Sequence, residues 1–395
     1  MKYAIIIPDG AADVPLGELG DHTPLEVAHK PHMDWIASHG KCGTVSNIPK
    51  GLPCGSDVAI LSVIGYDPRE CYTGRAPLEA AAQGLEIGPD EWVFRCNLVT
   101  VIEGIMEDHS AGHISTEEAG AIVDELNRSL ARPGVHFYRG VSYRHLMTYR
   151  GDFQVRTTPP HDILGQQASA HLPTGKGADS LRALMARGHE LLVGHEVNTV
   201  RRDLGENPAT DIWLWGEGKM PQLAPFAGRF GVRAAAITAV DLVKGLAKLI
   251  GWDVIPVEGA TGYLDTNYAG KGAAAVAALD DHDLVFVHVE APDEAGHNAN
   301  VKGKIAAIEQ IDQHIVGPLL KRLRAEGDEW RVLVLPDHPT PCTVRTHTPE
   351  AVPFAMAGKR VESVVAEAFT EANAAAADLH IEHGHELMQF FLTVR

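Results

Sequence analysis

Cysteine is scarce in this chain, and what there is forms no pattern. Cys42, Cys54, Cys71, Cys96 and Cys342 make no CxxC pair and keep no regular spacing. An odd, scattered set argues against a disulfide framework and for reduced thiols in a cytosolic protein. Cys54 reads as a small buried filler. Long apolar runs are missing as well: no stretch approaches the about 20 apolar residues needed to span a bilayer. The opening MKYAIIIPDG is too briefly apolar for a signal peptide, so a cytoplasmic protein with no membrane partner is expected. There is no excess of positive charge either. The net charge of −18 disfavours nucleic acid and anionic membrane surfaces as partners. Neither an internal repeat nor a low-complexity linker interrupts the chain.

What is present is an ordinary globular composition, 45% apolar and 22% charged over 395 residues. That suits two domains, or one large α/β domain with an insertion. The charge is unevenly spread: residues 111–202 sum to +2 and the remainder to −20. Acidic clusters suit divalent cations, whereas arginines suit phosphate or carboxylate. Short apolar runs at Tyr3–Pro8, Ile212–Trp215, Ala234–Ile237, Asp283–Val289 and Trp330–Leu335 read as buried parallel strands. Helical stretches alternate with them, as at Gly272–Leu279 and Lys304–Arg324. The latter carries apolar residues at 305, 308, 311, 315, 319 and 323, one face of a helix. The alternation predicts an α/β fold, a doubly wound and mostly parallel sheet. A smaller α/β domain, with a strand over Val93–Val101 and a helix over Thr116–Leu130, is expected to be inserted at 78–205. The first domain would comprise 1–77 and 206–395. Residues 364–377 read as a late helix and the final QFFLTVR as a terminal strand.

Acids and histidines fall where strands end. Asp9 follows YAIIIP; Asp293 and His297 follow DLVFVHV; Asp337 and His338 follow WRVLVLP, with His347 soon after in RTHTP. Ligands of open α/β sheets gather outside the carboxyl ends of strands, so these six residues should converge on one edge. Singly, such an Asp is more often a helix cap and such a His a structural residue. Together, three partly buried carboxylates without a counter-ion would each cost several kcal/mol. Two divalent cations resolve that, and oxygen-plus-imidazole donors suit Mn²⁺ or Zn²⁺ better than Mg²⁺.

A second signal is LPCGSDVAILSVIGYDP, residues 52–68. Pro53 and Gly55 make a turn, and Ser56 opens an apolar helix. A serine there is commonly a cap, yet a helix N-terminus also receives phosphate. Coordination of its Oγ to a metal would make the alkoxide accessible near neutral pH. Ser62, inside the helix, reads as packing.

IPDG, GSDVAILSVIGYDP, YTGRAPLEA, APDEAGH and PDH with a following HT together resemble the cofactor-independent phosphoglycerate mutases of archaeal type, within the alkaline phosphatase superfamily. The resemblance implies an isomerase of glycolysis and gluconeogenesis that interconverts 3-phosphoglycerate and 2-phosphoglycerate through a phosphoserine on Ser56. It implies Asp9, Ser56, Asp337 and His338 as ligands of one metal, and Asp293, His297 and His347 as ligands of the other. Mn²⁺ is the first choice, with Zn²⁺, Co²⁺ and Mg²⁺ open. It further implies a phosphate contact at His113 and substrate-pocket positions for Arg144, Lys244 and Asp162, with Asp162 the candidate for proton shuttling at the hydroxyl; the bland alternatives are surface residues for Arg144 and Lys244 and a turn former for Asp162. The insert would exclude water from the phosphoserine. Rival readings are a phosphatase or phosphodiesterase with the same serine and metals, transfer involving another small alcohol such as homoserine, and a non-catalytic binding protein. The sequence leaves the oligomeric state open.

Overall fold

The run YAIIIP forms a strand at the middle of a sheet because it has neighbours on both sides and cover on both faces. Lys2–Pro8 pairs in parallel with Leu284–Val289 and with Trp330–Val334, and Ala4 through Ile7 are fully buried. Burial on both faces is why the run is continuously apolar rather than alternating. The computed structural model describes residues 1–363 and 366–393. Its large sheet has eight strands. In spatial order they are Asp253–Val254, Ala234–Ile237, Leu284–Val289, Lys2–Pro8, Trp330–Val334, Val352–Gly358, Lys41–Val45 and His380–Ile381. Val352–Gly358 runs antiparallel to both neighbours, and the other described pairings in this sheet are parallel.

Ala4, Ile6, Val285, Val287, Val332 and Val334 face one core with Met33, Ile36, Leu279, Ile308, Ile311 and Leu319 from the helices. On the opposite face Tyr3 meets Phe391 edge-on, and Phe286 meets Trp252. Phe391 belongs to the helix Glu386–Thr393, so the described part of QFFLTVR is helical and not a strand. Leu387, Met388 and Phe391 are its buried residues, a helical spacing that places all three on one side. Within the expected 364–377 helix, Val364 and Val365 lie outside the described residues, and the helix spans Glu371–Ala376 behind the Thr370 cap.

The long amphipathic stretch after Asn300 is helical over Val301–Ile311, loosens to a π turn at Asp312–Val316 and continues as Gly317–Arg324. Asp312 accepts the His32 and Met33 N–H groups at 3.2 and 2.7 Å, satisfying the first turn of the helix Pro31–His39. Gly272 touches this turn: a Cβ there would lie 1.9 Å from the His314 oxygen.

The chain divides into two compact units, Met1–Tyr72 with Gln222–Arg395, and Thr73–Pro221. In the second, the long strand Glu91–Ile102 pairs antiparallel with Arg144–Arg150, Asp211–Gly218 and Ile105–Asp108. Val135–Val141 adds outside Arg144–Arg150. The helix Thr116–Leu130 starts at a Ser115–Glu118 capping box and packs with Ala178–Val193 on a shared core. The strand expected at Ile212–Trp215 therefore belongs to the insert's sheet, not the large one. Pairing with Glu91–Ile102 carries the insert's sheet to Gly218, and the compact unit spans Thr73–Pro221 against the expected 78–205.

Candidate active site

Three strand ends in the first unit bring buried acids together. Asp9, Asp337 and His338 are each at most 1% exposed, and Asp293 is 5% exposed. Tight local geometry holds them. Gly10 (φ +63°) donates its N–H to Asp337 Oδ1 at 3.3 Å. Asn47 Nδ2 donates to the Asp337 carbonyl at 2.8 Å, and the Thr340 hydroxyl donates to Asp293. Buried Lys304 ties the surrounding loops by donating to Asp13 at 2.8 Å and to the carbonyls of Ala12 and Thr340 at 3.2 and 2.9 Å.

Two histidines complete the Asp293 corner. His297 Nε2 is 3.3 Å from Asp293 Oδ2, and His347 Nε2 is 3.4 Å from Oδ1. The two Nε2 atoms are themselves 3.0 Å apart. Their Nδ1 atoms face the carbonyls of Arg345 and Cys54 at 3.0 and 3.2 Å, so each Nδ1 must carry a proton. In the neutral rings both Nε2 lone pairs then point at one spot beside a carboxylate, the donor set of a cation site. His338 Nε2 lies 3.5 Å from Asp9 and 3.4 Å from Asp337. Asp9 Oδ1 and Asp337 Oδ2 are buried with no hydrogen-bond partner. Unpartnered buried carboxylate oxygens are costly, and a divalent cation would resolve both.

Electrostatics agree with that reading. Burial, then Asp337 and Asp293, push Asp9 well above the usual carboxylate range. Burial would raise Asp293 too, but hydrogen bonds from His297 and His347 hold it well below. The Asp293 hydrogen bond lifts His297 to about 9. Burial lowers His338.

Ser56 opens the helix Ser56–Val63 as expected, and its Oγ sits 3.1 Å from His338 Nε2. Its hydroxyl thus lies among the candidate ligand atoms. Ser62 instead donates to the Asn47 carbonyl at 2.6 Å, inside the core, which is a packing role. Three ligand groups lie close enough to hold a cation: Asp293, His297 and His347; Asp9, Asp293 and His338; and Asp9, His288 and Asp337. The structure thus brings together all seven residues named from the sequence as ligands and adds His288, which sequence reasoning missed. The signal was a lone polar residue inside the apolar run LVFVHV, in a strand buried throughout.

The other named residues are carried by other elements. Lys244 is on the helix Asp241–Leu249 and pairs with Asp241 at 3.0 Å. His113, Arg144 and Asp162 are in the insert. His113 and Arg144 flank the Tyr143 ring at 6.2 and 5.6 Å. Asp162, mostly exposed, lies 3.7 Å from His161, whose ring is 6.1 Å from His109 and 5.3 Å from Trp215. Asp108 braces the loop before His113 by accepting from Ser110, Gly112 and Asn207. Burial opposes ionisation of Asp108, but those hydrogen bonds hold it at about 2.

Acids and imidazoles around a helix-opening hydroxyl, at the carboxyl edge of a mostly parallel sheet, define a class: α/β enzymes with a metal-type donor set and a serine at its centre. Comparison narrows the class. A family model described as 2,3-bisphosphoglycerate-independent phosphoglycerate mutase matches residues 37–198. The protein of that name from Methanothrix thermoacetophila is 49% identical over 392 residues, covering 99% of this chain and 100% of the relative. A solved protein from Pyrococcus horikoshii is 33% identical with a TM-score of 0.84, over 99% of this chain and 96% of that one. The cofactor-independent phosphoglycerate mutase from Thermoplasma acidophilum is 26% identical with a TM-score of 0.69, over 99% of both chains. The chain belongs to the family of 2,3-bisphosphoglycerate-independent phosphoglycerate mutases.

Proposed function

We propose that this chain interconverts 3-phosphoglycerate and 2-phosphoglycerate by two phosphoryl transfers through Ser56, as a cytoplasmic enzyme with two divalent cations. Among the described residues no helix is long and apolar enough to cross a membrane. The observation that carries the reading is the placement of Ser56 Oγ 3.1 Å from His338 Nε2, beside carboxylate oxygens that lack hydrogen-bond partners. The name shared by relatives at 47–49% identity across the chain supports the substrate pair. Asp9, Ser56, Asp337 and His338 would hold one cation and Asp293, His297 and His347 the other. Bound there, divalent cations ease ionisation of the serine and neutralise charge on the phosphoryl oxygens. The mixture of carboxylate, hydroxyl and imidazole donors suits Mn²⁺, our first choice, better than Mg²⁺.

Ser56 Oγ attacks the phosphorus of 3-phosphoglycerate; the bond to the substrate 3-oxygen breaks and that oxygen takes a proton. The N-terminus of the helix Ser56–Val63 favours the phosphoryl anion. The glycerate 2-hydroxyl then loses its proton and attacks the phosphoserine, restoring Ser56. To Asp162 we assign the proton transfer, and to His113, Arg144 and Lys244 the substrate's anionic groups. The test is a coupled assay of 3-phosphoglycerate with Mn²⁺ and no bisphosphoglycerate. Turnover that is lost with EDTA and in Ser56→Ala supports the mutase. Release of inorganic phosphate alone would make it a phosphatase, and turnover only with another alcohol such as homoserine would replace the substrate.

A further inference from the structure

Four histidines surround the acids of the first unit, and three of them follow one rule. His297 and His347 turn Nδ1 to backbone carbonyls, His338 turns Nδ1 to Thr340 Oγ1 at 3.3 Å, and all three aim Nε2 at carboxylates. The fourth, His288, obeys it too. Its ring is fully buried in the strand Leu284–Val289, with Nδ1 3.3 Å from Thr238 Oγ1. Thr238 Oγ1 also accepts the Val240 N–H at 3.1 Å. A hydroxyl oxygen can accept twice, so it can take the His288 Nδ1 proton as well and leave Nε2 as a lone pair. That Nε2 lies 3.0 Å from Asp9 Oδ2, with Asp337 in the same group, yet it makes no hydrogen bond. Lys271, also fully buried, donates to the His288 carbonyl at 3.3 Å and fixes the strand end that carries the ring.

A buried lone pair facing two carboxylates is repulsive unless a proton or a cation lies between them, and with the ring proton on Nδ1 that leaves a cation. We propose that His288 is a direct ligand of the cation held by Asp9 and Asp337, making that centre a two-imidazole one with His338. The proposal rests on the two-cation reading above and adds a consequence for selectivity. A second imidazole raises affinity for Mn²⁺, Co²⁺ and Zn²⁺ over Mg²⁺, so His288 biases the enzyme against Mg²⁺.

The test needs no turnover. His297→Ala/His347→Ala removes the Asp293 centre's imidazoles and leaves His288 intact. Pulsed EPR of that variant loaded with one Mn²⁺, in ¹⁴N- and ¹⁵N-histidine forms, counts the coordinated imidazole nitrogens. Two nitrogens support the proposal and one overturns it. Equilibrium dialysis of the wild type and His288→Leu with Mn²⁺ and with Mg²⁺ is the second measurement. A Mn²⁺ affinity lowered about tenfold or more, with Mg²⁺ changed several-fold less, is the expected result. Unchanged binding, an equal loss for both ions, or three ions per wild-type chain falling to two would each overturn it. A wild type that binds no cation, or whose binding ignores Asp337→Ala, would instead remove the underlying two-cation reading.

Discussion

His297 Nε2 and His347 Nε2 lie 3.0 Å apart and share Asp293, with both Nδ1 atoms turned away to carbonyls. Two imidazolium rings cannot both occupy that arrangement, so in the metal-free protein a proton there competes with a cation for the same lone pairs. The Asp293 hydrogen bond raises His297 to about 9, so at pH 7 cation binding must displace a proton. Cation affinity should rise with pH up to about pH 9, by about tenfold per unit for each proton released. Isothermal titration of the metal-free protein in buffers of different ionisation enthalpy measures that proton directly. No proton release would sink the idea.

The same shift sets the pH dependence of metal-free stability. The folded value of His297 lies above its ordinary one, so its contribution is fully present below about pH 6.5. It is lost as pH rises through about 9. Thermal unfolding in EDTA should therefore show a Tm that falls across this window. With Mn²⁺ the trend should flatten or reverse, because cation binding gains as protons leave. A Tm in EDTA that climbs between pH 7 and 9 would contradict the assignment.

Ser56→Ala should lower mutase turnover by about three orders of magnitude or more, as loss of a nucleophile does. Asp293, His297 and His347 do not contact Ser56 in the described hydrogen bonds, so cation binding at that corner should persist. Intact mass after acid quenching checks the intermediate: wild type with substrate should gain one phosphoryl group, and the variant none. A variant that still turns over would remove Ser56 from the reaction.

Much of this centre was legible because hydrophobic strands advertise their ends. YAIIIP, DLVFVHV and WRVLVLP each stop at an acid, and a parallel sheet places those ends on one edge. His288 escaped because it lies inside such a run and not at its end: period and burial say strand, and a lone polar residue in LVFVHV is the one mark it leaves. Ile212–Trp215 read correctly as a strand, but an apolar run does not say which sheet it joins, and its partner proved to be Glu91–Ile102. QFFLTVR failed for a related reason: a short apolar run fits a strand or a buried helix face until the packing of Phe391 on Tyr3 is known. His113, Arg144 and Asp162 are exposed in the insert, and no hydrophobic period fixes the role of an exposed side chain.

Lys304 tests how far the loops depend on one cation of the chain itself. Both Lys304 and Asp13 have fully buried side chains 2.8 Å apart. Lys304→Met leaves the Asp13 carboxylate to the Val14 and Cys342 N–H donors and takes the Lys304 donor from two carbonyls; loss of one partner of a buried pair costs about 3–5 kcal/mol. Denaturant unfolding should show that loss. The double variant Lys304→Met/Asp13→Leu should be less destabilised than the sum of the singles, since it removes the stranded charge. Strict additivity would show that the two groups act independently.

Gly10 is the sharpest steric constraint at the site. It follows Asp9 with φ +63°, where a side chain costs about 1–2 kcal/mol. A Cβ there would lie 2.6 Å from Thr340 Oγ1, 2.7 Å from Asp293 Oδ1 and 2.8 Å from Asp293 Cα. The Thr340 hydroxyl is itself bonded to Asp293, so neither side can yield without moving that carboxylate. Gly10→Ala should thus lower stability by more than the backbone strain alone. It should also weaken cation binding at both corners, because Asp9, Asp337 and Asp293 are linked through this turn. The control is Gly20→Ala, also at positive φ (+67°) but with nothing near its Cβ position. Equilibrium dialysis and urea unfolding of both variants decide it: Gly20→Ala should show the strain without the cation defect. Equal cation affinity in the two variants would mean that the close approach at Gly10 is absorbed elsewhere in the loop.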